Sequence, residues 1–457
     1  MQKNYWGNEF MIWIQNLDYL IQDAERVLCG ADLLIDGDRI VAVGTVDPAQ
    51  AGNAEIISGE GKIAMPGFVN THTHLYQNML KGMGDGLRLK PWCEQVTFPF
   101  ASIIHKEERE TDEPKLGYHW AALGAMEMVR SGITSFVDMD IVQDGVLQAW
   151  QDIGVRGNLA LQLVNKWVPK ELMVPDEVRK KKALDIIERW HKNGKLTVSL
   201  APSTPFACTP EFLMWIRDTA KERNLEIFIH ISETKWEVEQ AKDETGNTPF
   251  GYLEEMGFFE RPVHAVHCVC VEPEDIEIMK KRKLDVIYNP KSNAKLGSGI
   301  APIGTYLKQG IPVAVSTDGA ASNDSLDMFE EMRFGQLLQK ASAQNPLEVS
   351  VEDMFNMATK EGAKMMNIDA GVLEEGKLAD LVLLDDRGVH MQPINGVLQT
   401  VFYCAKSSDV DTVIIGGDMV MQDKQFVTVD ETGIIDSAVG LSNKAKAQVG
   451  KKLDADF

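Results

Sequence analysis

A chain of 457 residues with 44% apolar and 25% charged residues has the composition of a globular protein long enough to bury an extensive core. Its formal net charge of −22 works against nucleic acid and anionic membrane surfaces, both of which are gripped mainly through Lys and Arg. No apolar run approaches the ~18 residues of a membrane-spanning helix, six scattered cysteines without a CxxC pair read as reduced thiols, and MQKNYWGNEF lacks the basic-then-apolar pattern of a secretion signal, so a cytoplasmic protein is expected.

Residues before about Met11 read as an extension outside the fold. From there MIWIQNLDYLI, ADLLIDGDRIVAVG and AEIISGEGKIAM read as strands separated by Asp-Gly and Gly-Glu-Gly turns. The middle of the chain changes rhythm. Short apolar strands are predicted at Gly67–Thr71, Thr134–Asp138, Gly157–Leu161, Leu196–Leu200, Glu226–His230, Val263–His267, Asp285–Tyr288 and Val313–Ser316. Helical stretches such as YHWAALGAMEMVRSG and EFLMWIRDTAKERN alternate with them. Eight strand–helix alternations predict an α/β fold of the parallel (β/α)₈ TIM-barrel type. Toward the C-terminus LADLVLLD and a hairpin around Gly416-Gly417 return to β texture. Neither terminal β region suffices for a core, so the two are expected to join in one small β-sandwich. The predicted division is 1–65 and 366–457 for the sandwich and 66–365 for the barrel.

The chemistry-bearing residues fall at one level of that barrel. His72 and His74 follow the first strand as an HxH pair, and the period of two along a strand puts both imidazoles on one side. Chance alone gives some chains such a pair, so its weight comes from its company. His230 ends the fifth strand with Glu233 three residues on, His267 ends the sixth, and Asp318 ends the eighth. One imidazole or carboxylate at a strand end can be a satisfied structural group. Four strands presenting one at the barrel mouth point to a metal centre.

The set Pro66-Gly67, His72-x-His74, His230-x-x-Glu233, His267 and Asp318 resembles the amidohydrolase superfamily. NPKSNAKLGSGIAPI, STDGAASNDSLDMFEEMR and GVLEEGKLADLVLLD resemble its branch of methylthioadenosine/adenosylhomocysteine deaminases and triazine hydrolases. The resemblance runs from about Met11 to the hairpin near Gly417 and implies a metal-carrying barrel with a split β-sandwich. Some members bridge two metals with a carboxylated lysine ending the fourth strand. Here Lys195 precedes that strand, so one divalent ion is expected, held by His72, His74, His230 and Asp318. Nitrogen and oxygen donors suit Zn²⁺, with Fe²⁺ or Mn²⁺ as alternatives. The resemblance further implies a metal-bound hydroxide as nucleophile. Glu233 then carries its proton to a ring nitrogen or leaving amine, Asp318 assists as base, and His267 hydrogen-bonds the attacking water or developing oxyanion. Glu233 also fits a solvated first-turn helix acid, and His264 reads as a structural strand histidine.

Gln77, Trp92 and Ser322 are the expected substrate contacts. Gln77 would reach ring nitrogens and Trp92 would stack on a planar heterocycle or serve the core. Ser322 reads equally as a helix N-cap. The nucleoside deaminases of the branch carry a ribose-holding acid after a Pro near this tryptophan; the matching stretch here, FPFAS, has none. They also carry a Pro-His after the fourth strand, where this chain has Pro202-Ser203. A pocket with Phe98, Phe100 and Phe206 therefore favours a bare amino-substituted triazine, pyrimidine, purine or pterin as substrate for hydrolytic deamination. Removal of chloride or alkylamine from an s-triazine-like ring, nucleoside deamination, and a non-catalytic scaffold are the alternatives. The expected partner is a small heterocycle, without nucleic acid or membrane, and the protein is expected as a homo-oligomer, dimer or tetramer.

Overall fold

A computed structural model describes residues 11–110, 116–140 and 144–453. Residues 1–10, read from sequence as an extension, lie outside the described residues. Eight parallel strands form the barrel: β1 (Phe68–Thr73), β2 (Ile133–Asp140), β3 (Arg156–Leu163), β4 (Leu196–Pro202), β5 (Phe228–Ile231), β6 (His264–His267), β7 (Asp285–Tyr288) and β8 (Val313–Val315). All eight were legible from the alternation of apolar runs with helices. Along β1 and β2 every residue is buried, as expected of strands covered by helices outside and packed side chains inside.

The barrel consists of two four-stranded parallel sheets, β1–β4 and β5–β8. On one side they meet where Leu200 pairs with Ile227 and the His230 amide donates to the Ser203 carbonyl at 3.0 Å. On the other side the join is made just beyond β8. The Asp318 amide donates to the His72 carbonyl at 3.1 Å, the Thr71 and Ser316 hydroxyls lie 2.7 Å apart, and the Asn70 amide nitrogen donates to the Thr317 hydroxyl at 2.8 Å. Helices pack outside, with ends set by local chemistry. Pro210–Arg223 starts on the Thr209 hydroxyl with Pro at its first position and stops at Asn224 in the left-handed region. Lys235–Thr245 starts with a capping box in which Thr234 and Glu237 satisfy each other's backbone N–H groups.

The two ends of the chain share one nine-stranded sheet. Its centre is the antiparallel pairing of Lys62–Pro66 with Leu381–Asp385, flanked by Met11–Ile21 on the N-terminal side and Val410–Ile415 on the C-terminal side. The predicted hairpin is Val410–Ile415 with Asp418–Gln422, turning at Gly416-Gly417. Ile14, Leu17, Leu33, Ile35, Leu381 and Leu383 give this sheet its own apolar cluster. It is tied to the barrel by Arg156 of β3, whose guanidinium donates to both oxygens of buried Asp380 at 2.8 and 3.0 Å. The sequence reading did not single out the last helix, Glu431–Leu453. It lies against Leu116–Arg130, with Arg130 paired to Glu431 at 2.5 Å and Ile434 and Ala438 buried in the barrel core.

Candidate metal centre and active site

The HxH pair is where the strand rule placed it. His72 lies within β1 and His74 one residue beyond its end, both buried. Two of the three converging rings, His74 and His230, are fixed from behind, while His72 Nδ1 has no partner among the described residues. His74 Nδ1 donates to the Met139 carbonyl at 2.6 Å, and His230 Nδ1 donates to the Ser203 carbonyl at 2.7 Å. Since a carbonyl only accepts, both Nε2 atoms carry lone pairs. Yet His230 Nε2 lies 3.2 Å from His74 Nε2 and 3.2 Å from His72 Nε2. The His74 and His230 lone pairs, facing one another at that distance, repel unless a Lewis acid sits between them.

Asp318 completes the group, with Oδ1 3.4 Å from His72 Nε2 and 3.5 Å from His74 Nε2. A tetrahedral ion with bonds of ~2.0–2.1 Å has donor–donor edges of about 3.3 Å, which these four separations match; His72, His74 and His230 form one potential ligand group and His72, His267 and Asp318 another. Electrostatics agree. Burial depresses the proton affinity of His72, His74 and His230, His74 to about 4, which leaves the imidazoles neutral and ready to donate electron pairs. Burial pushes the Asp318 carboxyl up, but its contact with His72 outweighs that and holds it well below the usual range. The Ser292 hydroxyl donates to Asp318 Oδ2 at 2.6 Å and the Gly319 amide to Oδ1 at 2.7 Å. Lys195 is at the opposite end of the barrel, bonded to Asp418 at 2.8 Å and away from this cluster.

His267 Nε2 stands 3.5 Å from Glu233 Oε2 and 4.0 Å from Asp318 Oδ2. Its Nδ1 meets Asn293 Oδ1 at 2.9 Å. Glu233 is fully buried, takes the Ser298 hydroxyl on Oε1 at 3.0 Å, and has its carboxyl pushed up to about 8 by burial and by the Asp318 charge. The site thus holds one carboxyl that keeps its proton and one that does not, the pairing an acid–base reaction needs. His267 and Asp318 both adopt left-handed backbone, φ +74° and +60°, a strained conformation for these residues that recurs at functional positions.

A cavity of about 370 Å³ opens from this cluster. Gln77 and Trp92 line it, with Phe98 and Phe206. Gln77 also explains Gly319: its Oε1 accepts from the Ala321 amide at 3.3 Å, and a Cβ on residue 319 would sit 2.0 Å from that oxygen. Ser322 is buried beneath the site, donating to the Gly319 carbonyl at 3.1 Å, inside the short helix Ala320–Asn323 instead of at its cap. Phe100 likewise packs in the core, stacked on Tyr76. His264 binds Asp285 and Glu226 at 3.1 and 3.5 Å at the far end of the barrel, the structural place expected of it.

Sequence reasoning missed the groups that hold the reactive ones. Asn293, Ser292 and Ser298 all fall in NPKSNAKLGSGIAPI, a stretch quoted for resemblance but given no roles. Trp167 and Trp236 were missed too. Trp167 lies 5.1 Å from both Phe98 and Phe206 and 5.8 Å from Trp236, closing the outer cavity with aromatic rings.

A (β/α)₈ barrel with three imidazoles and a carboxylate converging at its C-terminal mouth, and a buried acid beside them, defines the metal-dependent hydrolases of barrel type. The amidohydrolase family model matches residues 63–420, and the chain belongs to that family. It is 38% identical over 415 residues to a 5′-deoxyadenosine deaminase of Methanocaldococcus jannaschii, covering 89% of this chain and 94% of that protein. It is 38% identical over 434 residues to a 5-methylthioadenosine/S-adenosylhomocysteine deaminase of Carboxydothermus hydrogenoformans, covering 93% and 96%. Among solved structures, a mutant atrazine chlorohydrolase of Arthrobacter aurescens complexed with zinc and atraton superposes with TM-score 0.87 at 25% identity, covering 94% of this chain and 100% of that one.

Proposed function

We propose that this protein is a hydrolytic deaminase that uses one divalent ion to replace the exocyclic amine of an amino-substituted N-heterocycle by oxygen, releasing ammonia. The observation that carries the reading is the convergence of His72, His74, His230 and Asp318 at ion-binding separations next to a buried, proton-holding Glu233. Bound there, the ion supplies Lewis acidity that activates water at neutral pH. Asp318, kept ionised, accepts a proton from the attacking water. Glu233 delivers its proton to a ring nitrogen and regains one from the new hydroxyl, while Asp318 passes the proton it took from water to the amine, so that the carbon keeps its C–O bond as the C–N bond breaks and ammonia leaves. His267, held by Asn293, offers Nε2 to the oxygen that develops charge.

The missing ribose-holding acid and the apolar cavity wall favour a bare ring. The names of the curated relatives favour an adenine nucleoside and bring it level with the bare ring among the candidates. Gln77 and Trp92 are the proposed ring contacts, while Ser322 supports the Asp318 turn. A second reading, removal of chloride or alkylamine from a triazine, is supported by the chlorohydrolase likeness. Zinc is the proposed ion. The cytoplasm, which suits six free cysteines, is the proposed compartment, and a homo-oligomer the proposed assembly, to be read by light scattering.

The decisive experiment combines metal analysis with a screen of aminoheterocycles, adenine nucleosides and chlorotriazines. The expected result is about one zinc per chain and ammonia from an amino ring. A metal-free protein, or chloride release without ammonia from any ring, overturns the reading.

A further inference from the structure

The capping box at the start of helix Lys235–Thr245 leaves one atom over. Glu237 Oε2 accepts from the Glu233 amide at 2.6 Å and from the Thr234 amide at 3.2 Å, which completes its work for the helix. Its Oε1 is buried and has no hydrogen-bond partner among the described residues, and Glu237 lines the cavity. Two further buried polar atoms without partners belong to lining residues, Trp92 Nε1 and Thr204 Oγ1. Much of the remaining wall is aliphatic or aromatic: Leu89, Phe98, Leu163, Trp167, Leu172 and Phe206. An apolar cavity with a few convergent polar atoms is how small-molecule sites combine burial with selectivity. A carboxylate oxygen can only be satisfied by a donor. Burial is the main reason the Glu237 carboxyl is pushed up to about 7, so a donor from the ligand would favour its ionised form.

We propose that Glu237 is a specificity-determining residue whose Oε1 accepts a hydrogen bond from an O–H or ring N–H of the substrate other than the reacting amine, with Trp92 Nε1 and Thr204 Oγ1 as the accompanying donor and hydroxyl. This rests on the aminohydrolase reading above and narrows it to heterocycles that carry such a donor. The donor is either a hydroxyl of a glycosyl group or an N–H of a bare ring, and the two sources are separable by experiment.

The test compares the zinc-loaded wild type with Glu237→Gln. Glutamine serves a capping box as glutamate does, but turns an acceptor-only group into one that presents an amide to the cavity. Adenosine against 2′,3′-dideoxyadenosine reads the hydroxyl; adenine against 9-methyladenine reads the ring N–H. Each pair is measured as a ratio of kcat/KM on one sample, so the folded fraction cancels. In one pair the wild type is expected to favour the donor-bearing compound by about tenfold or more, the size of a charge-assisted hydrogen bond, and the variant to erase that preference. Ratios equal in both proteins for both pairs overturn the proposal, even if all rates fall, because that is the mark of a helix cap alone. If the wild type releases no ammonia from any of the four, deamination of adenine rings is what fails. The same ratios are then taken from calorimetric binding of the four compounds, where a preference lost in Glu237→Gln sustains the proposal, and equal ratios or no binding overturn it.

Discussion

Each imidazole at the barrel mouth presents the nitrogen its neighbours permit. For His74 and His230 a backbone carbonyl takes the Nδ1 proton and thereby aims a lone pair at the ion position. In the proposed reaction this divides labour at the level of single side chains: the histidines need not titrate, and the proton traffic falls to Glu233 and Asp318. Glu233→Gln keeps the shape and the Ser298 bond but removes the transferable proton. It is expected to lower kcat by about 10²–10⁴-fold with zinc content unchanged, measured by ammonia release under saturating substrate. That these side chains come together was legible because strand period and strand ends predict where a side chain points. Ser292, Asn293 and Ser298 were not, because a hydroxyl or amide in a loop acquires a role only from the fold that brings it under a distant carboxylate or imidazole.

At the scale of elements, strands β5, β6 and β7 are pinned at the end away from the site by His264, which lies between Glu226 just before β5 and Asp285 at the start of β7. Burial alone would lower the proton affinity of His264; the two carboxylates outweigh it and raise it above 6.5. A histidine whose folded pKa is raised contributes stability that is complete below its unfolded value and lost as pH rises through the folded one. The advantage of the wild type over His264→Gln in urea denaturation is therefore expected to be larger near pH 6 than near pH 9, and an advantage that grows with pH would contradict the pairing. The strands were predicted well because apolar runs and flanking helices carry that signal. Helix Glu431–Leu453 was not, since its place against Leu116–Arg130 depends on the barrel already being formed.

Over the whole molecule, the nine-stranded sheet and the barrel are held in register by the buried Arg156–Asp380 pair, to which the Gly416 amide adds a bond at 2.6 Å. Asp380→Ala strands a buried guanidinium and is expected to cost about 3–5 kcal/mol in denaturant unfolding; a loss under about 1 kcal/mol would place the join elsewhere. Chelation offers a second global test. A ligand that binds only the folded state stabilises it by about 4 kcal/mol when free at ~1,000 times its Kd. Stripping the ion should thus lower Tm, and zinc should restore it. The layout of barrel and terminal sheet was readable because both chain ends carried the same β texture. The pairing of Lys62–Pro66 with Leu381–Asp385 was not, since nothing local in either segment encodes its partner.

The barrel is made of two half-cylinders joined by a short run of bonds on each side. His72 and His74 belong to the first half, His230 and Asp318 to the second. A cation shared by these four would act as a rivet through the waist of the protein, so that the part doing the chemistry is also the fastener. Withdrawn, it should let the halves part slightly, and the amides flanking both seams should take up deuterium before those buried within either half.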